Sequence, residues 1–214
     1  MARGSGRKPI ETLKWVGGTG GHVAMIDQTL LPAKLKILAV KDARAMWVAI
    51  RRLAVRGAPA IGVAAAYGVV LGARRSRART AERFHADVAG VADHLSTSRP
   101  TAINLFWALD RMKGAMGRIL DEAAPAAGVF NRSAALERLL EEAKAIHRED
   151  RDLCEAIGRH GAALLRDGWN VLTHCNAGAL ATGGSGTALA AVYAASRDGK
   201  KIGVFAGETR PLLQ

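Results

Sequence analysis

The helical periodicity that fills the middle of this chain breaks at Asp167-Gly168, and the pattern that follows constrains the fold more than anything before it. Trp169-Asn-Val-Leu-Thr173 reads as a buried strand. A loop of small residues from Ala177 to Thr187 separates it from a helix over about 187–196, and a polar turn from Arg197 to Lys201 leads to a second apolar run, Ile202 to Ala206. Strand, crossover helix and strand make a βαβ unit, whose two strands run parallel because the helix carries the chain back. Parallel sheets are stable with both faces covered and more strands alongside. A single unit that stops at Gln214 therefore reads as the start of a Rossmann-like parallel-sheet domain, and an incomplete one.

Upstream, His22 to Ile26 and Lys34 to Leu38 are short strand-like runs parted by Asp27 and Pro32, which suggests an N-terminal β-hairpin. Asp42 caps a helix with Met46, Ile50, Leu53 and Ala54 at helical spacing, and Gly57 stands where a left-handed C-cap is wanted. Pro59 opens the next helix, which is free of charge through Ala73 and carries Gly62, Gly68 and Gly72. That run is shorter than the roughly 20 residues a bilayer span needs, so it reads as a buried helix and not as a membrane segment. Phe84, Val88, Val91 and Leu95 follow Thr80 as a third helix; Leu105, Leu109, Met112 and Met116 follow Thr101 as a fourth. After the break at Pro125 and Gly128, Ser133 begins a long helix through Leu136, Leu140, Ala143, Ile146, Leu153, Ile157 and Leu164. The expected α/β architecture is a basic tail and hairpin over 1–41, a helical bundle over 42–166 and the βαβ unit over 167–214.

Lys and Arg total 31 against 19 Asp and Glu, a net charge of +12, with the arginines dispersed along the helices. That excess favours anionic partners. With an aromatic content of 5% and no basic–aromatic alternation, the stacking platforms that single-stranded nucleic-acid binders use are not visible, and nucleic acid is not the expected partner. Cys154 and Cys175 are too few for a disulfide framework and fit a reducing cytoplasm, and no apolar stretch follows the basic N-terminus to make a secretory signal.

Two segments carry the candidate chemistry. Thr173-His-Cys-Asn-Ala-Gly-Ala-Leu-Ala-Thr-Gly-Gly-Ser-Gly-Thr187 lies past the carboxyl end of a parallel strand, where open α/β sheets bind ligands. Its glycines allow close backbone approach, and the next helix offers free N–H groups to an anion. Cys175 in that loop suits acid–base or nucleophilic work if cations and helix N-termini favour its thiolate, and it reads equally well as a small packed residue. Arg56-Gly-Ala-Pro-Ala-Ile-Gly62 combines a guanidinium with a proline-led helix start, an anion cradle or else a plain helix–helix corner with Arg56 solvated. Arg99, before Pro100, poses the same choice. There is no Gly-x-x-x-x-Gly-Lys-Ser/Thr, and Gly183, Gly184 and Gly186 do not fit a dinucleotide fingerprint, although Glu208 stands where a ribose-binding acid would. His174 and Cys175 have no second His/Cys pair at ligand spacing, so no zinc site is expected. Cys154 reads as core; His85, His94, His147 and His160 read as structural or solvated, and Arg148-Glu-Asp-Arg-Asp152 as a solvated helix face.

Taken together, Ile10-Glu-Thr-Leu-Lys-Trp15, Ile26-Asp-Gln-Thr-Leu-Leu-Pro32, Arg56-Gly-Ala-Pro-Ala-Ile-Gly62, Arg99-Pro-Thr-Ala-Ile-Asn-Leu105, Leu172-Thr-His-Cys-Asn-Ala-Gly-Ala-Leu-Ala-Thr182 and Glu208-Thr-Arg-Pro-Leu-Leu-Gln214 occur in an order that resembles the methylthioribose-1-phosphate isomerase family. Those enzymes are related to ribose-1,5-bisphosphate isomerases and to regulatory subunits of the translation initiation factor 2B exchange complex. The resemblance implies an aldose–ketose isomerase of methionine salvage that acts without metal or organic cofactor. It implies that Arg56, Gly57, Ala58, Arg99 and Gln214 contact the sugar phosphate and that Cys175 is one of two catalytic residues. The second, an aspartate, falls beyond Gln214 in that pattern, so weak or absent turnover is expected of these 214 residues. Gly207 stands where the pattern has Asp. An exposed edge beside the second strand favours pairing, and a homodimer is the expected assembly of a full-length chain.

Overall fold

In the computed structural model, which describes residues 10–123 and 130–210, the N-terminal strands number three and not two. β1 (Leu13–Val16) and β3 (Ile37–Val40) both pair antiparallel with β2 (His22–Ile26), in registers Leu13↔Met25 and Ile26↔Ile37. β1 escapes a hydrophobic reading because its four residues alternate around one buried side chain, Leu13. Gly17 supplies the positive φ of 92° that turns β1 back toward β2.

Asp42 starts α1 (Ala43–Arg51) as expected, its Oδ1 accepting from the Ala45 amide at 2.8 Å. The helix ends before Leu53, which takes a left-handed φ of 64°. Gly57 accordingly does not close α1; with φ 96° it is the N-cap of α2 (Ala58–Ala73). The uncharged run is the buried axis of a bundle: from Ala60 to Leu71 every side chain of α2 is enclosed by α1, α3 (Ala81–Ser96), α4 (Ile103–Ala123) and α5 (Arg132–Leu164). Glycine lets the helices close in. A Cβ on Gly72 would lie 2.5 Å from a Val91 methyl, and one on Gly62 would lie 2.9 Å from the Asn104 carbonyl oxygen. Around that axis Met46, Ile50, Phe84, Leu95, Leu105, Met112, Met116 and Leu139 are fully enclosed. Each such side chain contributes about 1.5–3 kcal/mol relative to exposure. α4 starts two residues after Thr101, and Asn131 rather than Ser133 caps α5, with Oδ1 accepting from the Ala134 amide.

α5 departs from its apolar stripe halfway along. Leu136, Leu140, Ala143 and Ile146 are buried, but Leu153 is 59% exposed and Leu164 is 76% exposed. The inward face there is made of small residues instead, Cys154, Gly158 and Ala162, against which α6 (Ala188–Arg197) approaches closely. A Cβ on Gly158 would meet the Ala190 carbonyl oxygen at 3.1 Å. β4 (Asn170–Thr173) and β5 (Gly203–Ala206) form the expected parallel pair, in register Val171↔Val204. They are not the buried strands the apolar runs suggest: Leu172 is 81% exposed and Phe205 is 62% exposed, because no other described element lies over them. No described helix is long and apolar enough to cross a membrane.

The sheet is tied to the bundle by a buried carboxylate. Asp27 is 3% exposed, accepts from Thr29 and pairs with Arg52 at 2.7 Å. Burial pushes its carboxyl up, but the bonds from Arg52 and Thr29 outweigh that and hold it below the ordinary carboxylate range. A group whose folded pKa is depressed stabilises the fold above its unfolded pKa and loses that contribution as pH falls through the folded value. Asp27→Asn is therefore expected to lower stability at pH 7 by about 1–3 kcal/mol and to lose less than the parent between pH 5 and pH 3. Urea denaturation at the two pH values reads both effects, and equal acid sensitivity in parent and variant would remove Asp27 from the account.

Candidate active site

The loop from His174 to Thr187 leaves the carboxyl end of β4, and its shape is set from inside by Thr182, a buried hydroxyl that accepts from the Gly184 and Gly186 amides, both at 3.1 Å. Gly186, at φ 107°, closes an antiparallel bridge onto Gly178. A Cβ there would sit 2.7 Å from the Gly178 carbonyl carbon, so only glycine permits the closure. Cys175 is exposed at the mouth of the loop, in a left-handed conformation with φ 64°. A non-glycine residue held there is strained by about 1–3 kcal/mol, and such strain clusters where side chains are aimed for a purpose.

Two sets of contacts fasten the loop to the rest of the chain. The first comes from the N-terminal sheet and the Arg56 corner. Thr12 Oγ1 donates to the Ala179 carbonyl at 2.6 Å, and Gln28 Nε2 donates to the Leu180 carbonyl at 2.7 Å. Gln28, 1% exposed, also faces Arg56: its Oε1 accepts from Nε at 3.4 Å and its main-chain carbonyl accepts from the terminal nitrogen at 3.3 Å. Gly57 is in direct contact with the loop, since a Cβ on it would lie 2.4 Å from the Ala181 Cα.

The second set comes from α5. His147, 7% exposed, sits 3.0 Å from the Gly183 carbonyl oxygen through Nε2 and 3.0 Å from the Tyr67 hydroxyl through Nδ1. Asp150 Oδ2 accepts from the Gly183 amide at 2.6 Å. A carbonyl only accepts, so Nε2 carries the hydrogen and the neutral ring takes the Tyr67 proton at Nδ1. Burial holds His147 below the ordinary imidazole range, which keeps the ring neutral, and it raises the Tyr67 phenol. Burial likewise pushes the Asp150 carboxyl up, against the pull of the Gly183 amide.

Arg56 is not the solvated corner residue that spacing also allowed. It is 7% exposed, and desolvation lowers its pKa without neutralising a guanidinium. Among the described residues no carboxylate pairs with it; its two hydrogen bonds are long and go to a neutral amide and a carbonyl. A buried cation so placed is costly unless an anion completes it. The first turn of α2 adds to the same spot: Gly57 has no side chain to occupy the opening N–H groups, and they face the positive end of the helix. Ala58 is the first residue of that turn. Arg99 is half-buried in the connection before α4, and it makes no side-chain hydrogen bond among the described residues. The first turn of α4 packs against α2 where Asn104 meets Gly62. Gln214 lies outside the described residues. Gly207 faces His174: a Cβ there would stand 3.1 Å from Nδ1.

The structure thus brings the Arg56-Gly57-Ala58 corner and the Cys175 loop into contact through Ala181. It also adds Thr12, Gln28, His147 and Asp150, which sequence reasoning missed. Asp150 lay inside a run of charges that reads as a solvated face. His147 directly follows Ile146 at the end of the buried apolar stripe, and its closeness to Gly183 is invisible without the fold.

The family model of the initiation factor 2 subunit family matches residues 54–214. The chain belongs to that family. Among curated family relatives it is 50% identical over 207 residues to a 5-deoxyribose 1-phosphate isomerase of Moorella thermoacetica, covering 97% of this chain and 56% of the relative. It is 51% identical over 209 residues to a methylthioribose-1-phosphate isomerase of Geobacter sulfurreducens, covering 96% and 56%. Two solved structures share the fold with a TM-score of 0.78 each. One is the translation initiation factor eIF-2B subunit delta from A. fulgidus, at 38% identity over 96% of this chain and 56% of that one. The other is 5-methylthioribose 1-phosphate isomerase from Pyrococcus horikoshii, at 31% identity over 94% and 60%. The chain spans about half the length of the curated relatives it matches.

Proposed function

We propose that this chain carries the sugar-phosphate site of an aldose–ketose isomerase that interconverts 5-methylthioribose 1-phosphate, or its 5-deoxy counterpart, with the corresponding ketose phosphate. The observation that carries this reading is the buried Arg56 guanidinium, unmatched by a carboxylate among the described residues and in contact, through Gly57, with the loop that bears Cys175. A phosphate monoester is the ligand such a corner fits: two negative charges, several acceptor oxygens, and a helix N-terminus beside the arginine fork. Arg56, Gly57 and Ala58 hold the phosphate, with Arg99 and Gln214 completing the contacts. Neither a metal nor an organic cofactor enters the proposed reaction.

The chemistry sets the role of the thiol. The anomeric oxygen of an aldose 1-phosphate is esterified, so the ring cannot open as a free hemiacetal does, and the enzyme must assist opening before hydrogen moves from C2 to C1. That requires one group to give a proton and another to take one. Cys175, exposed at the mouth of the loop, serves as one of the two. The work is placed in a reducing cytoplasm, where a catalytic thiol stays reduced, and the full-length protein is read as a homodimer.

Isothermal titration of the purified chain with 5-methylthioribose 1-phosphate tests the reading, with 5-deoxyribose 1-phosphate as a second titrant. Saturable binding of either supports it. A second reading has its own support, because the solved subunit delta is more similar in sequence to this chain than the solved isomerase is. On that reading the chain is a non-catalytic interaction subunit, and neither sugar phosphate produces heat.

A further inference from the structure

The glycine loop is hydrogen-bonded to α5 at one residue among those described, Gly183, which is held at both its main-chain N–H and its carbonyl. Asp150 accepts from the Gly183 amide at 2.6 Å, while His147, backed by Tyr67, donates to the Gly183 carbonyl at 3.0 Å. The approach is close enough to exclude any side chain: a Cβ on Gly183 would lie 2.5 Å from the His147 ring, and one on Gly184 would lie 3.0 Å from the Arg151 Cα. From Gly183 the constraint runs in two directions. Thr182 links it to Gly184 and Gly186, and the Gly186–Gly178 bridge brings it back to within three residues of Cys175. In the other direction Ala181 rests on Gly57, beside Arg56. No atom of His147 or Asp150 is needed for proton transfer in the proposed reaction. A buried histidine and a half-buried, partly desolvated carboxylate on a bundle helix are nonetheless an expensive way to hold a loop unless its position matters.

We infer that His147 and Asp150 are positioning residues, which set where the Cys175 loop stands over the Arg56 corner and thereby set the affinity for the sugar phosphate. This rests on the reading of that corner as the phosphate site. Their hydrogen bonds have directions a substitution can keep or remove. His147→Gln retains a donor toward the Gly183 carbonyl, and Asp150→Asn retains an acceptor for the Gly183 amide; His147→Leu and Asp150→Ala retain neither.

The test uses the thiol as reporter, so it needs no turnover. Carbamidomethylation of Cys175 by iodoacetamide is followed by peptide mass in the intact chain, well below each variant's melting temperature, over a range of 5-methylthioribose 1-phosphate concentrations. Cys154 is buried and serves as the internal control for unfolding. In the parent the sugar phosphate slows alkylation. In His147→Leu and Asp150→Ala the concentration giving half-protection is expected to rise roughly tenfold, the scale of one buried hydrogen bond to a charged or aligned group. In His147→Gln and Asp150→Asn it stays within about threefold of the parent. Four variants with parental half-protection would overturn the inference and leave the site reading intact. Four variants weakened alike, in step with their melting temperatures and with no rescue by Gln or Asn, would overturn it too, as bulk stability would then explain everything. A parent chain that the sugar phosphate never protects removes the site reading, and this inference with it. Should His147→Leu fail to fold, the Asp150→Ala and Asp150→Asn pair decides the question alone.

Discussion

Gly57→Ala lowers the melting temperature by roughly 10 °C and abolishes sugar-phosphate binding. Two costs add at that position. The backbone is at φ 96°, where an L side chain is strained by about 1–3 kcal/mol. The new Cβ would also lie 2.4 Å from the Ala181 Cα and 2.5 Å from its carbonyl oxygen, and main chain cannot swing aside as a flexible side chain does. Overpacking of that kind costs about 1–3 kcal/mol more, and the relief available is for the loop to lift off the corner. Lifting breaks the bonds from Thr12 and Gln28 to the Ala179 and Leu180 carbonyls. Differential scanning calorimetry and titration with 5-methylthioribose 1-phosphate measure the two parts separately. A variant that melts like the parent would mean that Gly57 and Ala181 are not in contact.

Arg56→Met separates binding from stability in the opposite sense. Methionine keeps the apolar stem and removes the charge, so the phosphate loses its fork and affinity falls by about a hundredfold, or ~2.7 kcal/mol. Stability does not fall. The guanidinium is buried without a carboxylate among the described residues, and an apolar replacement of a poorly compensated buried charge is neutral or stabilising. Arg56→Lys restores a charge but not a planar pair of donors, and recovers only part of the affinity. The same calorimetry and titration apply. A marked loss of stability in Arg56→Met would show that the guanidinium cements the corner, and the phosphate assignment would fail with it.

What the sequence made legible was whatever repeats locally. The α2 axis announced itself by sixteen residues without a charge, α3 by Phe84, Val88, Val91 and Leu95, and the βαβ unit by a change of period at Gly168. Capping was visible where a short polar side chain precedes an apolar helix, as at Asp42 and Thr80. Gly57 was correctly singled out and given the wrong end of the wrong helix, because a left-handed glycine looks the same before a helix as after one. The second half of α5 misled for a different reason. Leucines at 153 and 164 match a buried stripe, but the side facing α6 is chosen by how near two backbones can come, which favours Gly158 and Ala162.

The candidate site was legible in its glycines and its arginine, and not in what holds them. Arg56, Gly57 and Cys175 sit in short distinctive motifs. Gln28 and Thr12 reach the loop across more than 150 residues of sequence, and although both lie in segments that carry the family resemblance, nothing there shows that they meet the loop. Asp150 was hidden by its charged neighbours, of which Glu149 does what the run suggests and pairs with Arg111 on the surface. Burial, not residue type, distinguishes the two acids.

α5 spans 33 residues, about 50 Å of continuous helix, and belongs to two unequal masses. Its leading half is set in the main core with α2 and α4, whereas among the described residues its trailing half meets α6 through small buried residues, Cys154, Gly158 and Ala162 against Ala190, Ala194 and Ala195. So small an apolar seat cannot hold the strand pair as tightly as the bundle holds itself, and partial opening begins at the trailing end. The helix is then a lever arm with one end clamped. Cys175 stands beside the small-residue half, the guanidinium is buried at the bundle corner, and the bonds from His147 and Asp150 to Gly183 lie where the two halves meet.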